Sequence, residues 1–292
     1  MTKPLIFFAI LALLLVAPVH AQAAQDVTPQ HAAELLGFPY KAQWAGLGGV
    51  GLATSPLGPH WTSIHPAFAG WEDSFVVSSS VFLGFAGITA ASATVAAPGM
   101  QATFLQLDSG MIQGDGGGFR FLAQAGMLDL AIRADSFSLG IRAKGYAARQ
   151  PAFGLGASLD VGVALATPQL AFAALIENGL SLPITYENEY LEYWTPNVTL
   201  FSAISIPFTT GVSWGTTAKL VLDASGLSSV SAGTEAWIGP VGLRAGYDGE
   251  AISMGLSLRF PGYGFHIACA MHDDLGATYM ASLEIRFDGV SN

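Results

Sequence analysis

Three short motifs put chemically capable residues at suggestive spacings. Gly46, Gly48 and Gly51 spell G-x-G-x-x-G, and Glu72 lies twenty-one residues after Gly51. In a dinucleotide fingerprint such glycines admit a pyrophosphate and the acid takes a ribose hydroxyl. That chemistry needs an apolar strand before the glycines and a helix after them. Here no Val/Ile-rich strand precedes, and Pro56 and Pro59 would break a helix on the far side. A close-packed turn is the better reading. Gly211-Val212-Ser213-Trp214-Gly215 matches the G-x-S-x-G nucleophile elbow, which requires a strand-to-helix turn. Lys219 to Asp223 instead continues an alternating strand, and no acid–histidine pair can be assigned to Ser213. His272-Asp273-Asp274 offers metal-ligating atoms, but three adjacent residues do not converge unaided on one ion. They read as a polar hairpin tip. His60 and His65 stand in a Pro-rich stretch, where packing and hydrogen bonding account for them. No catalytic set emerges, and neither a cofactor nor a metal is implied.

A fourth cluster points to a surface. Tyr186, Tyr190, Tyr193 and Trp194 interleave with Glu187, Glu189 and Glu192. Aromatic girdles mark the interfaces of membrane barrels, so a loop leaving the membrane explains the pattern. A ligand or partner site on that loop is the sharper alternative.

The elements that would carry these residues are set by composition and period. Lys3, an apolar run from Leu5 to Ala17, Pro18 and then Ala21-Gln22-Ala23 have the anatomy of a cleaved secretory leader over residues 1–23. The remainder is apolar: hydrophobic residues make up 51% of the chain and charged residues 11%, against about 25% charged in soluble domains. No later run approaches the twenty or so apolar residues of a spanning helix. Only helices and closed barrels satisfy the backbone in lipid, so a barrel is what remains. Cys269 is the single cysteine, which excludes an intramolecular disulfide, and the formal charge of −10 argues against nucleic acid as a partner.

Alternation supports this. Phe119, Phe121, Ala123, Ala125 and Met127 share one parity, opposite Arg120 and Gln124. Phe137, Leu139, Ile141 and Ala143 oppose Ser138, Arg142 and Lys144, and Phe153, Leu155, Leu159 and Val161 oppose Ser158 and Asp160. Ile252 to Phe260 and Tyr279 to Phe287 alternate likewise, with Arg259, Glu284 and Arg286 on the polar side. Eight of the eleven Lys and Arg residues fall in such strands, namely Arg120, Arg133, Arg142, Lys144, Lys219, Arg244, Arg259 and Arg286. All eight take the polar parity, as a lipid-facing wall demands. The polar face is otherwise Gly, Ser, Ala and Thr, which suits a tight, partly filled lumen. The fold expected is therefore all-β: a transmembrane antiparallel up-and-down barrel of 12–14 strands over residues 75–292, with an N-terminal plug over 24–74. Candidate strands number fourteen, beginning with 75–87, 101–108, 117–127, 128–134 and 137–148, and ending at 277–287.

The C-terminal run from Val241 to Phe287 resembles the last strands of PorV/PorQ-type proteins, relatives of the FadL family of outer-membrane barrels. The matching positions are Arg244, Ala245, Gly246, Tyr247, His272, Leu275, Gly276, Ser282, Leu283 and Phe287. Near the mature N-terminus, the run from Ala45 to Gly51, including Gly46, Gly48, Gly49 and Gly51, resembles the family's Gly-rich opening. Ile64-His65-Pro66-Ala67-Phe68-Ala69 resembles its Asn-Pro-Ala-Gly-Leu-Ala segment, with His65 in place of Asn and Phe68 in place of Gly. The resemblance implies an N-terminal segment in the lumen and an outer-membrane address. It also implies one of two functions: passage of hydrophobic small molecules, as in FadL relatives, or a role as an accessory or anchor of a secretion system, as in PorV relatives. Expected partners are outer-membrane lipid, the barrel assembly machinery and, by function, hydrophobic small molecules or secretion proteins. An outer-membrane enzyme is the third class, and it lacks an identifiable Ser–His–acid set.

Overall fold

A computed structural model describes residues 34–37, 39–53, 62–84, 87–114, 117–149, 152–273 and 276–287. The expected leader, Pro56, Pro59, His60, Asp274 and Leu275 lie outside the described residues. No helix among the described residues is long and apolar enough to cross a membrane. Strands do the crossing.

Fourteen long strands succeed one another along the chain. They are β1 (Phe75–Leu83), β2 (Thr89–Ala97), β3 (Met100–Asp108), β4 (Leu122–Ala134), β5 (Phe137–Arg149), β6 (Phe153–Ala166) and β7 (Leu170–Tyr186), then β8 (Asn197–Thr209), β9 (Val212–Asp223), β10 (Gly226–Ile238), β11 (Val241–Tyr247), β12 (Ala251–Phe260), β13 (Tyr263–His272) and β14 (Gly276–Phe287). Each pairs antiparallel with its sequence neighbours, and β14 pairs with β1 through Phe287↔Phe75, so the sheet closes into a transmembrane barrel without an edge. A two-residue strand, Leu191–Glu192, adds to the outer end of β7. Connections at the end carrying Phe75 and Phe287 are short, for example 98–99, 135–136 and 239–240; the opposite end carries the longer 109–121 and 187–196.

Side-chain alternation sorts residues to two faces. Leu128, Leu130, Leu139, Ile141, Leu159, Ile267, Leu283 and Ile285 are exposed outward, whereas Asp129, Ser138, Arg142, Lys144, Ser158, Asp160, Ser282 and Glu284 point inward and are buried. This is an inside-out protein: apolar skin, polar interior. Seven of the eight strand cations lie on inward positions, and Arg149, which the structure adds to the end of β5, faces out at the rim.

Three expectations need correction. Thr89–Ala97 is a full strand that alternation misses, because its residues are nearly all small and carry little contrast between faces. The expected pair 117–127 and 128–134 is instead the single strand β4, preceded by a small hairpin of Ile112–Gly114 and Gly117–Phe119. The two errors cancel in the count. Within β4, Ala123, Ala125 and Met127 face the lumen rather than lipid, where they join one apolar cluster with Leu35, Tyr40 and Trp44 of the inner segment. An apolar lumen removes the contrast on which parity depends. Arg120 is therefore not a lumen charge: it sits in the loop before β4, 60% exposed at its side chain, and pairs with Asp108.

Ile141 is outward-facing at mid-strand, paired with Leu130 and Val161. An Ile141→Arg substitution is expected to cost about 2–4 kcal/mol, read as a lowered denaturant midpoint in lipid vesicles.

Candidate functional site

The lumen is occupied by the chain's own N-terminal segment. From the loop end it enters as a 3-10 turn, Glu34–Gly37, then forms a one-turn helix, Ala42–Ala45, and a glycine-rich turn. Two short strands, Leu52–Ala53 and Thr62–Ser63, pair with each other, and a second 3-10 turn, Pro66–Trp71, leads into β1. The second turn is locally encoded. His65 caps it by accepting Ala67 N–H at its Nδ1, and Pro66 supplies the fixed φ that suits a first helical position.

What seats the segment is the absence of side chains on the facing wall. A Cβ at Gly233 would lie 2.6 Å from Leu47 O, and one at Gly255 would lie 3.3 Å from Gly46 Cα. Gly140 faces Ala67, Gly162 faces the His65 ring, and Gly246 faces Leu47 and Gly48 with no room for a Cβ. The motif glycines make the reciprocal fit. Gly46 has an ordinary helical φ of −66° and is small for contact rather than for conformation. Gly48 has φ 68°, and a Cβ there would also meet Tyr247 N at 2.5 Å. Gly46 thus serves close approach alone, whereas Gly48 serves both close approach and a left-handed backbone that glycine adopts at no steric cost.

Hydrogen bonds complete the seat. Ser282 Oγ accepts from Ala42 N at 2.7 Å, Ser253 Oγ from Gly48 N at 2.9 Å, and Ser92 Oγ donates to Tyr40 O at 2.7 Å. Lys219 Nζ donates to Gly49 O at 3.0 Å, and Arg142 Nη2 donates to Ile64 O. His65 Nε2 lies 3.0 Å from Ala174 O; since Nδ1 accepts from Ala67, the neutral Nε2–H tautomer satisfies both contacts. Burial holds this imidazole far below its usual range, at about 3, and also lowers the Lys41 ammonium. Lys41 packs over the Trp44 ring, 5.1 Å from its centroid.

The remaining lumen charges neutralise one another across strands. Arg142 grips Asp129 with Nε–Oδ1 at 2.6 Å and Nη2–Oδ2 at 2.7 Å. Lys144 meets Asp160 at 2.6 Å and Asn178 Oδ1 at 2.7 Å. Arg244 meets Glu235 at 3.0 Å and bonds Ser257. Arg286 reaches Glu284 at 3.2 Å and Glu72 at 3.4 Å, and Arg259 stacks 4.8 Å over the Trp237 ring. Sequence reasoning missed Asp129, Glu235 and Glu72, although each carboxylate sits beside a cation already identified. Strand register sets the partners of Asp129 and Glu235, and the docking of the inner segment sets that of Glu72; residue spacing shows neither.

Other sequence candidates resolve simply. Ser213 is an inward residue of β9, with no helix after it. His272 pairs with Glu250 at 3.3 Å, and no metal-ligating cluster forms among the described residues. Trp194 turns inward, donating Nε1–H to Leu182 O at 2.7 Å, while Tyr186 OH bonds Glu192 at 2.9 Å and Tyr193 stays exposed. Ser257 and His266 do meet, Oγ to Nδ1 at 2.6 Å, but both are fully buried beneath Arg244, out of reach of any substrate.

Among the described residues, cavities of about 10 Å³ and about 30 Å³ border the inner segment. A water needs about 10–15 Å³, so neither holds a solute as it stands.

No protein-family model matches the chain, and no curated protein matches it. Among solved structures it is similar to the Ralstonia pickettii toluene transporter TbuX, with a TM-score of 0.55 and 12% identity over 87% of this chain and 99% of that one. It is similar to the Pseudomonas putida toluene transporter TodX, with a TM-score of 0.53 and 9% identity over 85% and 98%. The Acinetobacter baumannii outer membrane protein Omp33 gives 0.51 and 11% identity over 75% and 100%. At such identities the likeness is one of fold. It agrees with the FadL-like architecture and does not bear on the PorV/PorQ part of the resemblance.

Two substitutions test this seat. Gly233→Val overfills the contact with Leu47 and is expected to cost about 1–3 kcal/mol, with the inner segment becoming cleavable by protease while the barrel stays intact. His65 is neutral in the fold, and the unfolded chain takes up the proton first as pH falls. Its contribution is therefore complete above about 6.5 and is lost as pH drops toward about 3. His65→Gln is expected to lose less stability than wild type between pH 7.5 and pH 4.5 in detergent denaturation.

Proposed function

We propose that the chain is a bacterial outer-membrane channel for small hydrophobic molecules, exported behind a cleaved leader and gated by its luminal N-terminal segment. The observation that carries this reading is the make-up of the loop-end half of the lumen. Leu35, Tyr40, Trp44 and Leu47 of the inner segment pack there with Leu105, Met127, Tyr146, Ile184 and Trp194 of the wall. A water-filled porin lines its bore with polar side chains; this half of the bore is apolar and filled. Solutes that suit it are apolar, and two barrels of similar fold bear the description of toluene transporters. In this reading part of the inner segment rearranges locally to let a solute past, and the rest of it keeps ions out.

The filled lumen also suits a second reading, a barrel that anchors or assists secretion proteins without conducting. Uptake separates the two. Proteoliposomes carrying the purified protein are expected to take up a labelled aromatic hydrocarbon several-fold faster than empty liposomes, with no steady ion conductance in planar bilayers. Uptake equal to that of empty liposomes would sink the channel and favour the anchor.

A further inference from the structure

The inner segment does not fill the lumen evenly. On β5, β6, β10, β11 and β12 it is pressed against glycines, with no room for a Cβ at Gly140, Gly162, Gly233 and Gly246. The opposite wall, β1 to β3, has no such contact. Its small inward residues are hydroxyl-bearing or Ala rather than glycine, namely Ser78 and Ser80 on β1, Ala90, Ser92, Thr94 and Ala96 on β2, and Thr103 on β3, and they alternate along the wall with the larger Val76, Phe82, Gln101 and Leu105. Both cavities lie on this side. The upper one is bordered by Leu35, Tyr40, Phe82, Ala90 and Met280, and the lower by Lys41, Glu72, Gln101, Asp129 and Glu284. They stack along β2, from Ala90 down to Ala96, and are separated by the backbone at Tyr40 and Lys41. That backbone is held to the wall by two serines, Ser92 Oγ donating to Tyr40 O at 2.7 Å and Ser282 Oγ accepting from Ala42 N at 2.7 Å.

Resting on the channel reading, we infer that the solute route runs along the inward face of β2, with the Tyr40–Lys41 backbone as its gate and Ser92 as the latch. The chemistry along the route names the solute. It is apolar at Leu35, Phe82 and Met280, then polar at Gln101, Asp129 and Glu284. Glu284 borders the lower cavity, pairs with Arg286 through Oε1 and has no hydrogen-bond partner at its buried Oε2, so a donor that reaches Oε2 on opening would satisfy it. A small apolar body bearing one hydroxyl, such as an aromatic alcohol, meets both halves. A pure hydrocarbon leaves the acceptor unsatisfied, and a carboxylate places a second anion beside it.

Initial uptake into proteoliposomes, measured with labelled benzyl alcohol and labelled toluene, tests the route. Wild type is expected to take up benzyl alcohol at least threefold faster than toluene, relative to empty liposomes. Ala90→Leu, which fills the upper cavity, is expected to slow uptake about tenfold. Ser231→Leu, the same enlargement on the inward face of β10 away from both cavities, leaves it near wild type. Ser92→Ala, which frees the Tyr40 carbonyl, speeds it about threefold, so the route remains testable if Ala90→Leu fails to fold. Wild-type rates in both Ala90→Leu and Ser92→Ala would overturn the route while leaving the channel reading standing. Toluene entering faster than benzyl alcohol would overturn the assigned solute. No uptake of either by wild type would remove the channel reading and this inference together.

Discussion

The structure depends on one steric constraint: the inner segment lies against the wall at positions where the wall carries no Cβ. Gly140, Gly162, Gly233, Gly246 and Gly255 line the receiving face, and Gly46 and Gly48 line the received one. A barrel of this circumference encloses more space than its inward side chains can fill. Glycine on one side alone would leave the space empty. Here the N-terminal segment takes it, and the contacts are close because the glycines allow them.

The charges obey the same arrangement. Arg142 with Asp129 and Arg244 with Glu235 face each other directly across neighbouring strands, while Lys144 meets Asp160 diagonally. A charge buried alone is costly, and removing one partner of a buried pair leaves that cost uncompensated. Pairing inside the lumen keeps the lipid face free of charge, and it lets Arg142 and Lys219 direct further donors to the carbonyls of Ile64 and Gly49. The inner segment is thus tied to the wall by cations whose main partners, where they have them, belong to the wall. Along β1 to β3, where the wall offers hydroxyls and no glycine, both cavities border the segment.

Much of this is legible in the residues themselves. The missing charged skin and the absence of a long apolar run leave a barrel as the only closed solution. Strong alternation locates β5, β6, β12 and β14 within a few residues. Legibility fails where contrast is low: Thr89–Ala97 has almost no large side chains, and the first half of β4, from Ala123 to Met127, is apolar on its inward side. The glycines of residues 46–51 stand out as a close-packed turn, but the wall residues that receive them do not. Those lie some two hundred positions away, and only strand register brings them opposite.

Sequence alone determined the class and, wherever the two faces contrast, their orientation, because period-two patterning and the cost of charge in lipid are local rules. Tertiary structure alone decided what occupies the lumen, which carboxylate answers each cation, and where packing is slack. Those outcomes depend on closing the ring, which sets β1 against β14 and the inner segment against both, and no local pattern encodes a closure.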